Sequence, residues 1–331
     1  MAETVLVTGA TGFLGSAVAR ALIAGGHRVR LLARPASDRR NIAGLDAEPV
    51  TGDLDQPESL GPALKGCSAL YHVAADYRLW VRDPAAMYRT NVDGSAALIR
   101  AAAAAGVSRA VYTSSVAVLG IDKTANLGDE NTPVTLSDMV GHYKRSKYLA
   151  EEAVAQAARD TGLPVVTVNP STPVGPRDIK PTPTGRTIVM AATGRMPAYV
   201  DTGLNLVHVD DCAAGHLLAF GKGIPGERYI LGGEDVSLAR MQAEIARMAG
   251  RRPARINLPV SPLYPLAVAA EWAARFTGRE PMLTRDTLRM ARKRMYFSSA
   301  KAARDLGYGT RPAVEALADA VAWFRDAGYL R

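Results

Sequence analysis

The segment Thr8-Gly9-Ala10-Thr11-Gly12-Phe13-Leu14-Gly15 constrains this chain more than any other. It follows an apolar run, Thr4–Thr8 (TVLVT), and opens an Ala-rich helical stretch, Gly15–Ala24. Gly9 permits the tight turn, Gly12 lets backbone approach a pyrophosphate, and Gly15 permits close packing of the helix. The N–H groups at the helix start then face the phosphates. A glycine triplet alone is weak, but here strand, triplet, helix and a second strand, Arg28–Ala33, arrive in order. The rival reading is a glycine-rich turn without ligand. Gly9, Thr11, Gly12, Phe13, Leu14 and Gly15 are therefore candidate dinucleotide contacts.

The alternation continues. Strands are expected at Glu48–Val50, Ala69–Val73, Arg109–Ser114 and Pro164–Asn169, with helices at Pro57–Lys65, Asp83–Ala105 and about Val140–Asp160. Short apolar strands separated by helices predict an α/β fold, a Rossmann-type parallel sheet flanked by helices. After Asn169 the pattern becomes intermittent, and the stretch 170–186 is rich in proline and glycine, as a functional loop is. Strands at Leu204–Val209, Tyr229–Leu231 and Arg255–Leu258 alternate with helices at Cys212–Phe220, Ser237–Ala249, Leu263–Phe276 and Ala313–Ala327. The expected division is a dinucleotide domain, 1–169, rejoined by 204–221. A smaller mixed α/β C-terminal lobe, mainly 170–203 and 222–331, would hold the substrate.

The end of the second strand bears on the cofactor. An acidic residue there would bind the adenosine ribose of NAD, whereas this chain has Ala33-Arg34. A guanidinium suits a 2′-phosphate, and Arg39 and Arg40 follow closely. The expectation is NADP(H) in preference to NAD(H). Asp53 and Leu54 follow the third strand, where a carboxylate can accept from adenine, or cap the helix beginning near Pro57. Ala74 and Ala75 end the fourth strand and leave room for the cofactor.

Tyr143 and Lys147 lie four residues apart on an expected helix and share one face. Ser115 follows the fifth strand at the same crevice. A phenol titrates near 10, and a nearby ammonium or nicotinamide cation favours its anion. Tyr143 can then act as base toward an alcohol or acid toward a carbonyl, with Ser115 holding the oxygen and Lys147 the nicotinamide ribose. By itself the Tyr/Lys spacing is common and unspecific, and on an amphipathic helix it is more often surface decoration.

Together these motifs resemble the extended short-chain dehydrogenases/reductases over almost the whole chain. The matching residues are TGATGFLG, Asp53 in GDL, His72–Ala75, Ser114 and Ser115 in YTSSVAVLG, Tyr143–Lys147 in YKRSK, and Asn169-Pro170. The resemblance implies a nicotinamide cofactor, with Ser114, Asn169 and Pro170 also at its site. It implies a Ser115, Tyr143, Lys147 triad with Asn91 as proton relay or scaffold. Segments such as HYKRSKYLAEEAV and MARKRMYFSSAKAARDLGY resemble the hopanoid-associated sugar epimerases, which are themselves similar to dihydroflavonol 4-reductases. The implied substrate is a small alcohol or carbonyl compound, hopanoid-linked or sugar-derived. Two chemistries compete: single hydride transfer by a reductase, and epimerisation with retained cofactor. Nucleotide-sugar epimerases tend to carry arginine where this chain has Leu204, which favours the reductase. A regulator or scaffold that senses NADP without turnover is a third reading, opposed by the intact triad.

In the second lobe, Arg177, Tyr199, Asn205 and His208 are candidate substrate contacts beside Ser115, with Asp178 and Lys180 reaching solute. The five histidines and two cysteines, Cys67 and Cys212, form no metal-ligand pattern. Two buried-looking cysteines fit a reduced, cytoplasmic compartment. The net charge of +8 is spread along the chain and does not call for nucleic acid. No run is long enough to span a bilayer. Arg285, Arg289, Arg292, Lys293 and Arg294, and the Leu263–Phe276 stripe with Trp272, leave peripheral membrane contact open, though a solvated basic face over core packing is the plainer reading. A homodimer is compatible with all of this.

Overall fold

Five Val- and Leu-rich segments form the centre of a parallel sheet because both of their faces are covered. In the computed structural model, which describes residues 3–78, 80–81, 83–122, 124–125, 127–277, 281 and 283–330, the first strands and helices follow the glycine turn. They are β1 (Thr4–Thr8), α1 (Phe13–Ala24), β2 (Arg28–Ala33), β3 (Glu48–Thr51), α2 (Leu60–Leu64) and β4 (Ala69–His72). Next come α3 (Pro84–Tyr88), α4 (Gly94–Ala104), β5 (Arg109–Thr113), α5 (Gly141–Thr161), β6 (Val165–Pro170) and β7 (Thr172–Val174). The remainder comprises α6 (Pro183–Ala192), β8 (Ala198–Tyr199), β9 (Gly203–His208), α7 (Val209–Lys222), β10 (Arg228–Leu231), β11 (Glu234–Ser237) and α8 (Leu238–Met248). It ends with β12 (Ile256–Asn257), α9 (Tyr264–Thr277), α10 (Arg285–Ala291), α11 (Ala300–Leu306) and α12 (Ala313–Asp326).

The main sheet runs β10-β6-β5-β4-β1-β2-β3, all parallel. Strand order reverses at β1, which lies between β2 and β4, so a crevice opens at the strands' carboxyl ends. One face is packed by α1 and α7 through Val18, Leu22, Cys212 and Ala213. The other is packed by α4 and α5 through Leu98, Ile99, Ala150 and Val154. Each fully buried Leu or Ile contributes about 1.5–3 kcal/mol. Cys67 and Cys212 are buried free thiols.

The second lobe is built on β11-β9-β7, with Ile188, Leu206, Met241, Leu317 and Phe324 sealing α6, α8 and α12 against it. Thus β9, assigned from sequence to the dinucleotide domain, pairs in the second sheet, and only α7 returns to the first. Conversely, β10 closes the main sheet beside β6. Part of the expected loop at 170–186 is ordered: Pro183 opens α6, where its missing N–H costs nothing, and the Thr182 hydroxyl caps Gly185. The long helix expected at Asp83–Ala105 is interrupted by a π-helical turn, Arg89–Asp93. Among the described residues no helix is long and apolar enough to cross a membrane.

Candidate active site

The glycine turn is sterically committed. Gly9 has φ +71°, and a Cβ there would lie 2.7 Å from the Ala74 nitrogen. A Cβ on Gly15 would lie 2.2 Å from the Gly9 carbonyl oxygen. Gly12 caps α1 with no side-chain hydrogen bond, and no acidic residue occupies the first turn. The helix therefore begins with open N–H groups and its positive pole unopposed, which suits a diphosphate. Phe13 and Leu14 pack their side chains against the core, so only their backbone faces the turn.

Two polar side chains to which the sequence assigned no role brace this cradle. The Thr8 hydroxyl accepts from the Val73 and Ala74 N–H groups at 3.1 Å and pairs with His72 Nδ1 at 2.8 Å. His72 also meets Ser95, and burial followed by the Lys147 charge lowers its imidazole to about 3, so it is neutral. Buried Asn41 donates to the Thr11 and Gly12 carbonyls at 3.3 and 3.2 Å. An asparagine in the irregular stretch after β2 gives no local sign of that partner.

Asp53 accepts from the Asp55 N–H at 3.2 Å, while Gln56 holds the cap position of the next turn. The helix-cap alternative for Asp53 is thereby removed. Leu54 is buried against Gly94. Arg34 is exposed on the surface after β2. Exposed Arg40 is tied to Asp38 at 2.7 Å.

At the ends of β5 and β6, Ser115, Tyr143, Lys147 and Asn169 converge. Burial pushes the Tyr143 phenol above its ordinary value, and the nearby Ser115 hydroxyl pulls it back in part. Ser115 Oγ also accepts from the Ala117 N–H at 3.1 Å. Lys147 is buried, donates to the Thr113 carbonyl at 2.8 Å and the Tyr112 hydroxyl at 3.2 Å, and lies 4.8 Å from the Tyr112 ring centroid. Asn169 donates to the Ser115 carbonyl at 3.0 Å and to Glu151 at 3.2 Å. The buried atoms Ser114 Oγ, Asn169 Oδ1 and Ser171 Oγ have no hydrogen-bond partner. Buried polar atoms of this kind call for a ligand. With the open turn of α1 and the small residues Ala74 and Ala75, they fit a dinucleotide lying across the crevice.

Burial lowers the Lys147 ammonium from 10.5 to about 8, with Glu151 raising it in part. Below about 8 the lysine is protonated in both the folded and unfolded chain, and its burial cost stands in full. Between about 8 and 10.5 the unfolded chain holds more protons, so this contribution to stability rises with pH. Lys147→Met should flatten that rise relative to the native protein. Chemical denaturation of both proteins across the window checks this, and equal slopes would contradict it.

Asn91 sits in the π-helical turn, fully enclosed. Its Oδ1 accepts from the Asp76 N–H at 2.7 Å, and its Nδ2 donates to the Asp76 carbonyl and to Ser146 Oγ at 2.9 and 3.0 Å. Ser146 in turn donates to the Tyr143 carbonyl at 2.9 Å. Asn91 thus joins the loop after β4 to the helix that carries Tyr143, which is a positioning contact. Inserted π turns often serve such sites. Asn91→Ala should cost about 1–3 kcal/mol in denaturation, as a buried donor and acceptor lose their partner.

The substrate candidates separate. Tyr199 is half-buried in β8. Asn205 is spent internally: Nδ2 donates to the Gly233 and Phe297 carbonyls and to Asp235, and Oδ1 accepts from the Gly233 N–H. His208 caps α7 and contacts Asp319 at 3.1 Å and Arg311 at 3.0 Å. Arg177, at φ +78°, pairs with Asp210. Asp178 is buried on the Thr182 backbone and hydroxyl, and burial raises its carboxyl to about 6. All four side chains are taken up by the protein's own groups, Asn205, His208 and Arg177 by distant segments and Asp178 by the cap of α6. Of the proposed set, Ser115 and Tyr199 keep polar atoms outside such networks.

Known proteins resemble this chain in sequence and fold. Residues 5–232 match the model of the NAD dependent epimerase/dehydratase family. The chain is 42% identical over 335 residues to a Synechocystis sp. protein named as a candidate dihydroflavonol 4-reductase, covering 100% of this chain and 97% of that one. It is 36% identical to sterol demethylase protein B of Methylococcus capsulatus, covering 99% and 100%. The crystal structure of gox2253 superposes with a TM-score of 0.90 at 55% identity over the full length of both chains.

One expectation is corrected. Two solved structures of similar fold hold NAD: DesIV, a dTDP-glucose 4,6-dehydratase from Streptomyces venezuelae, and UDP-glucuronic acid 4-epimerase from Bacillus cereus. Arg34, from which NADP(H) was inferred, is an exposed arginine of the kind common on any surface. The preference for NADP(H) therefore falls. The chain belongs to the NAD dependent epimerase/dehydratase family of extended short-chain dehydrogenases/reductases, is related to the dihydroflavonol 4-reductase-like enzymes, and is an NAD(P)-dependent oxidoreductase/epimerase.

Proposed function

We propose that the enzyme uses NAD(H) for reversible hydride transfer at a secondary alcohol or ketone carbon of a hydrophobic small molecule. The observation that carries this reading is the convergence of Ser115, Tyr143 and buried Lys147 at the carboxyl ends of β5 and β6. NAD(H), when bound, accepts or supplies the hydride. Tyr143 Oη gives a proton to the ketone oxygen or takes one from the alcohol, and Ser115 Oγ holds that oxygen in line. Lys147, anchored on Thr113 and Tyr112, places a cation near the phenol and the nicotinamide ribose. The open N–H groups of α1 would hold the diphosphate, and Ser114, Asn169 and Pro170 would line the nicotinamide side.

The names of the relatives support an apolar substrate. They include a sterol demethylase protein, a 3-beta-hydroxysteroid dehydrogenase from Mycolicibacterium neoaurum and a 2-alkyl-3-oxoalkanoate reductase from Shewanella oneidensis. A hopanoid-derived alcohol or ketone belongs to the same chemical class. Leu204, packed with the apolar cluster of the second lobe, supports a reductase over a nucleotide-sugar epimerase by offering no charge for a diphosphate. The test incubates the enzyme with NADH and a panel of steroid and long-chain ketones, and separately with UDP-sugars. Stoichiometric NADH consumption with the ketones is expected. Sugar interconversion without net NADH consumption, and none with ketones, would establish the epimerase instead.

A further inference from the structure

Helix α9 is turned inside out. Its fully enclosed side chains are the small Ala267 and Ala274, whereas Leu266, Val268, Trp272 and Phe276 are 61%, 49%, 64% and 71% exposed. At 100° per residue these four fall on one broad face, together with exposed Pro265, Ala269 and Ala273. Among the described side chains that face carries no charge. Glu271, the acidic residue of α9, lies off it and pairs with Arg285 at the start of α10. Trp272 and Phe276 pack edge to face with ring centroids 4.7 Å apart, so they form a single raised patch. Ile256 and Leu258, in and just after β12, are exposed as well.

The sequence stripe at Leu263–Phe276 left core packing and membrane contact open. The large side chains do not enter the core. A contiguous apolar face of this kind marks a contact surface.

The charge around it decides the occupant. Between residues 251 and 294 the sequence has ten Lys and Arg against three Asp and Glu, within a chain whose whole excess is +8. Arg251, Arg252 and Arg255 directly precede exposed Ile256, and Arg289, Arg292, Lys293 and Arg294 are exposed on and after α10. Arg292 reaches back over the Tyr264 ring, 5.0 Å from its centroid, so the basic segment adjoins the start of α9. Two copies of the chain meeting through this face would bring two basic segments together. An anionic lipid surface instead satisfies both features, apolar side chains entering the acyl boundary and cations meeting the headgroups.

We propose that α9, with the exposed edge at Ile256–Leu258, docks the enzyme on anionic membrane surfaces without crossing them. The residues that form the surface are none of those assigned to the glycine cradle or to the Ser115–Tyr143 pair, and the inference does not depend on the reaction assigned above.

The test uses the full-length protein with vesicles of phosphatidylcholine alone and of phosphatidylcholine mixed with phosphatidylglycerol. Co-sedimentation with the mixed vesicles is expected, with a blue shift of tryptophan emission, weaker binding to phosphatidylcholine alone, and loss in high salt. Trp272→Ser with Phe276→Ser should weaken binding by about tenfold per side chain, with thermal unfolding unchanged, since both residues are exposed. Arg251→Gln, Arg252→Gln and Arg255→Gln together should abolish the preference for phosphatidylglycerol. Absence of binding to either vesicle, equal binding by the Ser double variant, or a dimer that this variant dissociates would overturn the proposal. Turnover of a water-soluble ketone would be unaffected by the Ser variant, which separates this outcome from failure of the reaction assignment.

Discussion

Tyr143→Phe should lower hydride transfer by about 10²–10⁴-fold, the usual contribution of a positioned proton donor. The hydroxyl is the only atom group removed. The aromatic ring, which fills its place on α5, remains, so the fold and the cofactor cradle should persist. NAD(H) affinity measured by calorimetry should be unchanged, while single-turnover NADH oxidation with a saturating ketone collapses. Equal activity in the variant would mean that another group handles the proton. Loss of NAD(H) binding as well as activity would mean that the ring, and not the proton, is what matters.

Gly15→Ala should damage the dinucleotide cradle severely. A Cβ at this position would come within 2.2 Å of the Gly9 carbonyl oxygen and 2.5 Å of its carbon. Both are backbone atoms in a turn fixed by the positive φ of Gly9, so neither can swing aside as a flexible side chain would. The start of α1 must move away from β1, and the N–H groups aimed at the diphosphate move with it. Overpacking of this kind costs about 1–3 kcal/mol, equivalent to roughly 5- to 150-fold in NAD(H) affinity if it falls on binding. Gly221→Ala, in α7, is the matched control. An added Cβ there meets nothing within 4 Å. It should leave affinity intact and slightly raise stability, because alanine favours the helix. Calorimetric titration of both variants with NADH reads the contrast, and equal affinities would contradict it.

The parts of this molecule that follow local periodicity were legible in the chain. The strand, glycine turn and helix at the N-terminus announce themselves because each residue's job is set by its immediate neighbours. Tyr143 and Lys147 were legible for the same reason, being one helical turn apart. Asn205 and His208 were not. Both are polar residues in β9 facing a junction, and at sequence level they look like pocket residues. Their partners come from Gly233, Asp235, Phe297, Arg311 and Asp319, far along the chain, and no local pattern announces those contacts. Asn41 was missed for the same reason, its work being done on carbonyls about thirty residues earlier. The π-helical turn at Asn91 was hidden inside an Ala-rich helical pattern because one extra residue in a turn barely disturbs it. Arg34 misled in a different way. A cation after the second strand is compatible with a phosphate, yet an exposed arginine needs no ligand to exist.

The central claim is that the Ser115–Tyr143 pair meets the reacting face of a nicotinamide held by the glycine turn. The most direct measurement is a crystal structure of the protein with NAD bound. The account predicts the diphosphate against the N-terminus of α1 and the nicotinamide C4 edge facing the Tyr143 hydroxyl. It predicts the nicotinamide amide or ribose taking up the free atoms of Ser114, Asn169 or Ser171. A dinucleotide bound with its nicotinamide turned away from Tyr143, in a crystal that turns over substrate, would contradict it.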